Sequence, residues 1–133
     1  MNQIDQRSIE ERNEATLARM SDGFRRHDVE AILDTFAEDG RFEITRGPDP
    51  WGTRFVGREN VRAGLAKRFE GIPDVHYGDD DHFLDVDGTR GASEWTLTGT
   101  TIDGERIEVR GCDLWTFADG QIVRKDSYWQ RVG

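Results

Sequence analysis

Three ionisable residues in the C-terminal half of the chain fall where their side chains are expected to meet. Asp113 lies in the run Gly111-Cys112-Asp113-Leu114-Trp115-Thr116-Phe117. Val109, Asp113, Trp115 and Phe117 share one parity, which in a strand places them on one face of the sheet. A carboxylate among such core-type residues is costly to bury unless it finds a partner or gives up its charge.

Turn geometry supplies the partners. Reading Asp103-Gly104 as a two-residue turn sets Ile102 opposite Glu105, and hence Glu94 opposite Asp113. Pairing Phe117 with Gln121 around Asp119-Gly120 sets Lys125 on the other side of Asp113. Directly opposed residues point to the same face, so Glu94, Asp113 and Lys125 are expected to form a row on the concave side. An ammonium there favours ionised Asp113, and a second carboxylate favours sharing one proton. Such a group suits proton abstraction next to a carbonyl, aldol-type cyclisation, dehydration or water activation. The competing reading of the row is a structural ion-pair network without catalysis.

The same parities place Thr96 and Thr98 beside Glu94, and Ser127 and Trp129 beside Lys125, as a mixed polar and aromatic pocket wall that includes Trp115. Trp95, Leu97, Cys112 and Leu114 are then expected on the convex face, apolar enough there for a homodimer interface. Asp126 and Tyr128 face outward by the same count. His76 and His82, with Asp79, Asp80 and Asp81 between them, offer mixed nitrogen and oxygen ligands. Their spacing matches no strong motif, so a solvated strand end is the better reading and no metal is expected.

The elements that must position these residues are legible from periodicity. Leu17, Met20 and Phe24 recur at helical spacing, and the polar residues from Gln3 to Glu14 extend that helix toward the start. Asp28 is the expected N-cap of a second helix carrying Val29, Ile32, Leu33 and Phe36 at i, i+3, i+4 and i+7. A short strand over residues 41–45 ends in the Pro- and Gly-rich loop 46–52. A third helix follows Gly57, with Val61, Leu65 and Phe69 on one face, and stops at Gly71-Ile72-Pro73. Asp87-Gly88, Asp103-Gly104 and Asp119-Gly120 divide the remainder into four antiparallel strands, about 74–86, 89–102, 105–118 and 121–131. The architecture is α+β, three helices on a curved, mainly antiparallel sheet that closes into a cone-shaped cavity. Met20, Phe24, Phe42 and Ile44 read as core or pocket wall. Trp51, in the loop, is either a lid that stacks on an apolar ligand or an anchor that packs the loop down.

Composition bounds the function. The 133 residues suit one domain over 1–133, with 35% hydrophobic and 34% charged residues. A net charge of −9 and a pI near 4.8 argue against a phosphate-backbone partner. Cys112 is the single cysteine, which excludes an internal disulfide and a cysteine-based zinc cluster. No apolar run is long enough to span a bilayer and the start is not signal-like, so a cytoplasmic protein is expected. There is no glycine-rich dinucleotide fingerprint, phosphate loop or nucleophile elbow, and no cofactor is expected.

Three segments carry a family resemblance: His27-Asp28-Val29-Glu30-Ala31-Ile32-Leu33 through Phe36-Ala37-Glu38-Asp39, Phe55-Val56-Gly57-Arg58-Glu59-Asn60-Val61, and the hairpin from Cys112 to Trp129. In these the chain resembles the nuclear transport factor 2-like superfamily, specifically its ketosteroid isomerase-like and SnoaL-like polyketide cyclase branches with their cystatin-like fold. The resemblance places Asp113 at the oxyanion-hole aspartate of the isomerases and Trp129 at an aromatic residue lining their pocket. It also places Met20 where the family keeps a tyrosine and Ile44 where it keeps the catalytic base, which argues against steroid isomerisation. His76 falls near a histidine of related dehydratases and joins Asp113, Glu94 and Lys125 as a catalytic candidate. Two readings follow: a cofactor-independent isomerase, cyclase or dehydratase acting on a small, partly apolar carbonyl or hydroxyl compound, or a small-molecule binding or dimerisation module using the same cavity.

Overall fold

The computed structural model describes residues 3–85 and 87–132, with side chains from Ile9 onward. The expected domain ends at Met1, Asn2 and Gly133, and the expected strand end at Val86, lie outside the described residues. In chain order the elements are α1 (Gln3–Arg25), α2 (Val29–Leu33), β1 (Phe36–Asp49), β2 (Gly52–Val56), α3 (Arg58–Gly71), β3 (His76–Leu84), β4 (Arg90–Thr100), β5 (Arg106–Ala118) and β6 (Gln121–Trp129). The strands form one curled six-stranded sheet in the order β2-β1-β6-β5-β4-β3, with three helices packed on its inner side. Only β1 and β6 pair in parallel; the other neighbours are antiparallel.

The helices form where apolar periodicity and caps agree. Asp28 caps α2, its carboxylate accepting from the Ala31 N–H at 3.0 Å. That helix stops after five residues, short of the expected Phe36, because the sheet competes for the backbone: the Ile122 N–H donates to the Thr35 carbonyl at 2.8 Å, and Phe36 pairs with Ile122. Phe36 is nonetheless fully buried. At the end of α1, Asp28 N–H bonds to Gly23 and His27 N–H to Phe24, with His27 at φ 53°, the pattern of a Schellman cap. A stack on Phe69 and a 2.7 Å bond to the Val75 carbonyl hold the His27 ring in place.

The expected loop over 46–52 is the tip of a hairpin. β1 runs on to Asp49 and turns into β2. Pro48 and Pro50 fall beyond the regular pair Ile44 and Thr53, where the ladder is already irregular and a missing N–H breaks little. Gly47 permits the close approach, since a Cβ there would lie 2.2 Å from the Gly52 carbonyl carbon.

Strand register, the property that decides which residues meet, departs from expectation at both ends of β5. Between β4 and β5 the connection is a three-residue loop with Gly104 at φ 88°, so Thr100 pairs with Arg106 and Ser93, not Glu94, lies opposite Asp113. This one-residue slip moves every β4 side chain to the other face. Trp95 and Leu97 are therefore inside and buried, while Glu94, Thr96 and Thr98 are outside. Between β5 and β6, Ala118 pairs with Gln121, and a bulge then shifts the ladder so that Ser127 lies opposite Asp113 and Lys125 opposite Trp115. The bulge restores the expected parity, so Lys125 faces inward two residues from its expected partner.

The convex face keeps Cys112 and Leu114 but lacks the Trp95 and Leu97 expected for self-association. It carries charge instead. Glu43, 1% exposed, is bound by Arg54 at 2.8 Å and Arg124 at 3.1 Å. Burial works to raise its carboxyl, but those two guanidiniums outweigh it and hold Glu43 below its usual value. Asp126 points to this face as expected yet is buried, accepting from Arg124 at 2.5 Å and the Tyr128 hydroxyl at 2.9 Å.

Helix α1 is pinned to the strand turns. Arg12 donates to the Asp119 carbonyl at 2.8 Å, Asn13 to that of Gly88, and Thr16 to that of Gly120 at 2.6 Å. Thr16 is 1% exposed, so Thr16→Val removes a buried hydroxyl and leaves the part-buried Gly120 carbonyl without that donor. A loss of about 1–2 kcal/mol in urea unfolding is expected; an unchanged midpoint would show that the Thr16 bond contributes nothing to holding α1.

Candidate functional site

Asp113 is buried, with three protein donors on its carboxylate. Trp95 Nε1 donates to Oδ2 at 2.8 Å; Lys125 Nζ and Ser127 Oγ donate to Oδ1 at 2.8 and 2.5 Å. Four lone-pair sites are available on an ionised carboxylate, so one on Oδ2 stays free for a ligand or a proton. The Trp95 contact depends on Gly111, its cross-strand neighbour, where a Cβ would come within 2.3 Å of the indole ring.

Lys125 is 3% exposed, and its ammonium also donates to Ser127 Oγ at 2.9 Å. Around it stand the rings of Phe42 at 4.8 Å, Phe24 at 5.4 Å and Trp115 at 5.5 Å, which attract a cation. Burial pushes the Lys125 ammonium below the usual lysine range, and the Asp113 carboxylate opposes that shift.

The histidine of the site is His82, not His76. β3 carries a bulge between Gly78 and Asp81, with Asp79 at φ 52°, so that His82 lies opposite Ser93 on the inner face while His76, opposite Thr98, is exposed outside. Ser93 Oγ lies 2.5 Å from His82 Nδ1 and accepts from Trp115 Nε1 at 2.7 Å. His82 Nε2 lies 3.3 Å from Ser21 Oγ and 3.5 Å from Asp80 Oδ2. An ionised carboxylate only accepts, so Nε2 carries a hydrogen wherever it meets Asp80.

These groups surround one cavity of about 50 Å³, lined by Met20, Ser21, Phe24, Arg25, Tyr77, Asp80, His82, Ser93, Trp95, Asp113 and Lys125. Burial, opposed by the neighbouring Arg68, pushes the Tyr77 hydroxyl up to about 12, so it stays protonated at neutral pH. A second, larger cavity of about 690 Å³ opens between the end of β1, the start of β5 and the C-terminal segment. Ile44 and Trp129 line it. Trp129 meets Trp95 edge-on at 6.4 Å, so an aromatic wall joins the two spaces.

The structure thus brings together Asp113, Lys125, Ser127 and Trp115, with Met20, Phe24 and Phe42 around them. Glu94 is excluded: it is turned outward, with Arg110 as its neighbour at 3.8 Å. Trp51 lines neither cavity; it is 45% exposed at the hairpin tip with Arg54 4.6 Å above its ring. Sequence reasoning missed Ser93, Trp95 and His82 as site residues through strand register, and gave Tyr77 no place. Among the described residues, no group of three or more His, Cys, Asp or Glu side chains is placed to hold a metal ion, and no helix is long and apolar enough to cross a membrane.

A family model for the SnoaL-like domain matches residues 17–125. No curated protein matches the chain in sequence. Among solved structures, the chain is similar to a candidate polyketide cyclase from Xanthomonas campestris pv. campestris, at 22% identity over 92% of this chain and 93% of that one, with a TM-score of 0.80. A candidate polyketide cyclase from Silicibacter sp. tm1040 gives 24% identity, 89% and 88% coverage and a TM-score of 0.79. An NTF2-like protein of unknown function from Burkholderia pseudomallei gives 21%, 90% and 91%, and 0.79. At such identities the likeness establishes the nuclear transport factor 2-like fold.

The buried pair itself is testable. Lys125→Met leaves the Asp113 carboxylate without its counter-charge and is expected to cost about 3–5 kcal/mol in urea unfolding. Adding Asp113→Asn should recover much of that loss, because no buried charge then remains. Additive losses in the double variant would mean the two side chains are energetically independent.

Proposed function

The chain belongs to the SnoaL-like family, and from that premise we propose that it is a cofactor-independent general acid/base enzyme of the isomerase, cyclase or dehydratase type. Its substrate is a small, partly apolar carbonyl or hydroxyl compound. The observation that carries this reading is the convergence of Asp113, Lys125 and His82 on one cavity. A space of about 50 Å³ holds a few waters or one polar group, so only the reacting end of a substrate enters it.

The roles follow from the contacts. Asp113, through the free lone pair on Oδ2, takes a proton from carbon or oxygen. Lys125, held charged by Asp113 at 2.8 Å, stabilises negative charge developing on the substrate oxygen, in a site where water is scarce and such stabilisation is strong. Asp113 returns the proton it has taken to the rearranged substrate, which restores the carboxylate, while His82 stands at the cavity as a hydrogen-bonding partner for the reacting end. Deprotonation beside a carbonyl followed by reprotonation elsewhere gives isomerisation; attack of the resulting carbanion on a second carbonyl gives cyclisation; loss of a hydroxyl gives dehydration. The alternative, ligand binding without turnover, draws support from the near-saturation of Asp113 by donors.

Solvent exchange separates the two readings without knowledge of the substrate. In deuterium oxide, a small aryl ketone bound to the protein is expected to exchange its α-hydrogens faster than in buffer, as read by proton NMR. Asp113→Asn should remove the acceleration and leave ligand binding within a few-fold. A binding module would accelerate nothing in the native chain.

The pH profile carries a second expectation. Lys125 is needed as ammonium, and burial lowers its proton affinity. Activity should therefore fall as pH rises, at a pH below the ordinary lysine value, and Lys125→Arg should remove that alkaline limb. A flat profile through the alkaline range would contradict a role for the ammonium.

A further inference from the structure

The larger cavity has a character of its own. Its floor is Ile44, Ile107, Val109 and Trp129, while its charged lining is four arginines, Arg46, Arg68, Arg106 and Arg131, against two glutamates, Glu105 and Glu108. In a chain of net charge −9, this is a local excess of positive charge over an apolar surface. A volume of about 690 Å³ falls in the range of small-molecule sites.

Arg68, in the last turn of α3, differs from the other three. Arg46, Arg106 and Arg131 are exposed, whereas Arg68 is partly buried. Its guanidinium lies 4.5 Å over the Trp129 ring. Stacking of this kind uses the face of the guanidinium and leaves its in-plane N–H donors for a planar acceptor. None of the ion pairs among the described residues includes Arg68, and its buried Nε has no hydrogen-bond partner among them. Arg41 and Arg58 also leave Nε unpaired, but Arg41 meets Glu43 at 3.3 Å and Arg58 donates to the Leu33 carbonyl at 3.1 Å. Arg68 is thus a partly buried cation, stacked on Trp129 and beside the Tyr77 hydroxyl, with no carboxylate partner among the described residues.

We propose that the larger cavity binds an apolar carboxylate, with Arg68 holding the carboxylate in a two-point contact and Ile44, Ile107, Val109 and Trp129 covering the apolar body. The edge-on contact of Trp129 with Trp95 puts that ligand on the far side of the wall that also bears on Asp113. Arg68 acts electrostatically on both Tyr77 and Lys125, so an anion neutralising it is felt in the smaller cavity. The inference concerns binding, and it stands or falls apart from the acid/base reading of Asp113.

Two matched probes test it: 2-naphthoate and naphthalene-2-carboxamide, which share shape and differ in charge. By calorimetric titration, the native chain should bind the carboxylate at least 10-fold more tightly than the amide. Arg68→Met, with folding checked by circular dichroism, should abolish that preference; Arg106→Met and Arg131→Met should change it less than threefold. Equal affinity for the two probes in the native chain would overturn the proposal whether or not the Arg68 variant folds. So would a carboxylate preference that survives in Arg68→Met. Loss of binding on Arg68→Met with Asp113→Asn still binding would support the proposal and say nothing against the catalytic reading.

Discussion

A carboxylate and an ammonium placed under the helices, both almost free of water, set the terms for the rest of this structure. Removing two charges from solvent is expensive, and mutual attraction offsets it only when the remaining donors and acceptors are also satisfied. Asp113 therefore draws an indole, an ammonium and a hydroxyl to itself. Lys125 in turn is ringed by Phe24, Phe42 and Trp115, whose faces favour a cation. An arrangement this demanding is costly for a purely structural core, which apolar side chains would fill at less expense.

The irregular parts of the fold serve that pair. The bulge in β6 brings Lys125 and Ser127 onto the inner face, and the bulge in β3 does the same for His82. Gly111 clears the space into which Trp95 swings its ring. Helix α1 closes the site from above, fixed by bonds from Arg12, Asn13 and Thr16 to the turns at Gly88 and Gly120. Regular strands alone would have left Lys125 and His82 facing solvent.

What was legible in the sequence was parity and element order, because both are carried by local patterns. The alternation of Asp113, Trp115 and Phe117 announced a buried aspartate, and the Asp-Gly turns announced the strand meander. Register was not legible. A two-residue and a three-residue loop at Asp103-Gly104 look alike in sequence, yet the difference exchanged Glu94 for Ser93 and brought Trp95 inside. Lys125 was reached through compensating shifts, the turn one residue later than expected and the bulge one residue more. His76 was named through the family resemblance, and nothing in the run Asp79-Asp80-Asp81 signalled the bulge that turns His82 inward; Asp79 at positive φ is that sign, visible only in the backbone. The charged pairing of Asp126 was hidden for another reason: its partners Arg124 and Tyr128 lie on its own strand two residues away, and periodicity alone does not show that Asp126 is buried beneath them.

The protonation of Lys125 is the quantity on which this account turns, and nitrogen-15 NMR of its side-chain ammonium measures it directly. The expected result is a slowly exchanging ammonium signal that titrates below the ordinary lysine range and moves lower still in Asp113→Asn, where the supporting charge is gone. A signal that exchanges freely, titrates like an exposed lysine and ignores Asp113→Asn would contradict the buried pair, and with it the proposed chemistry.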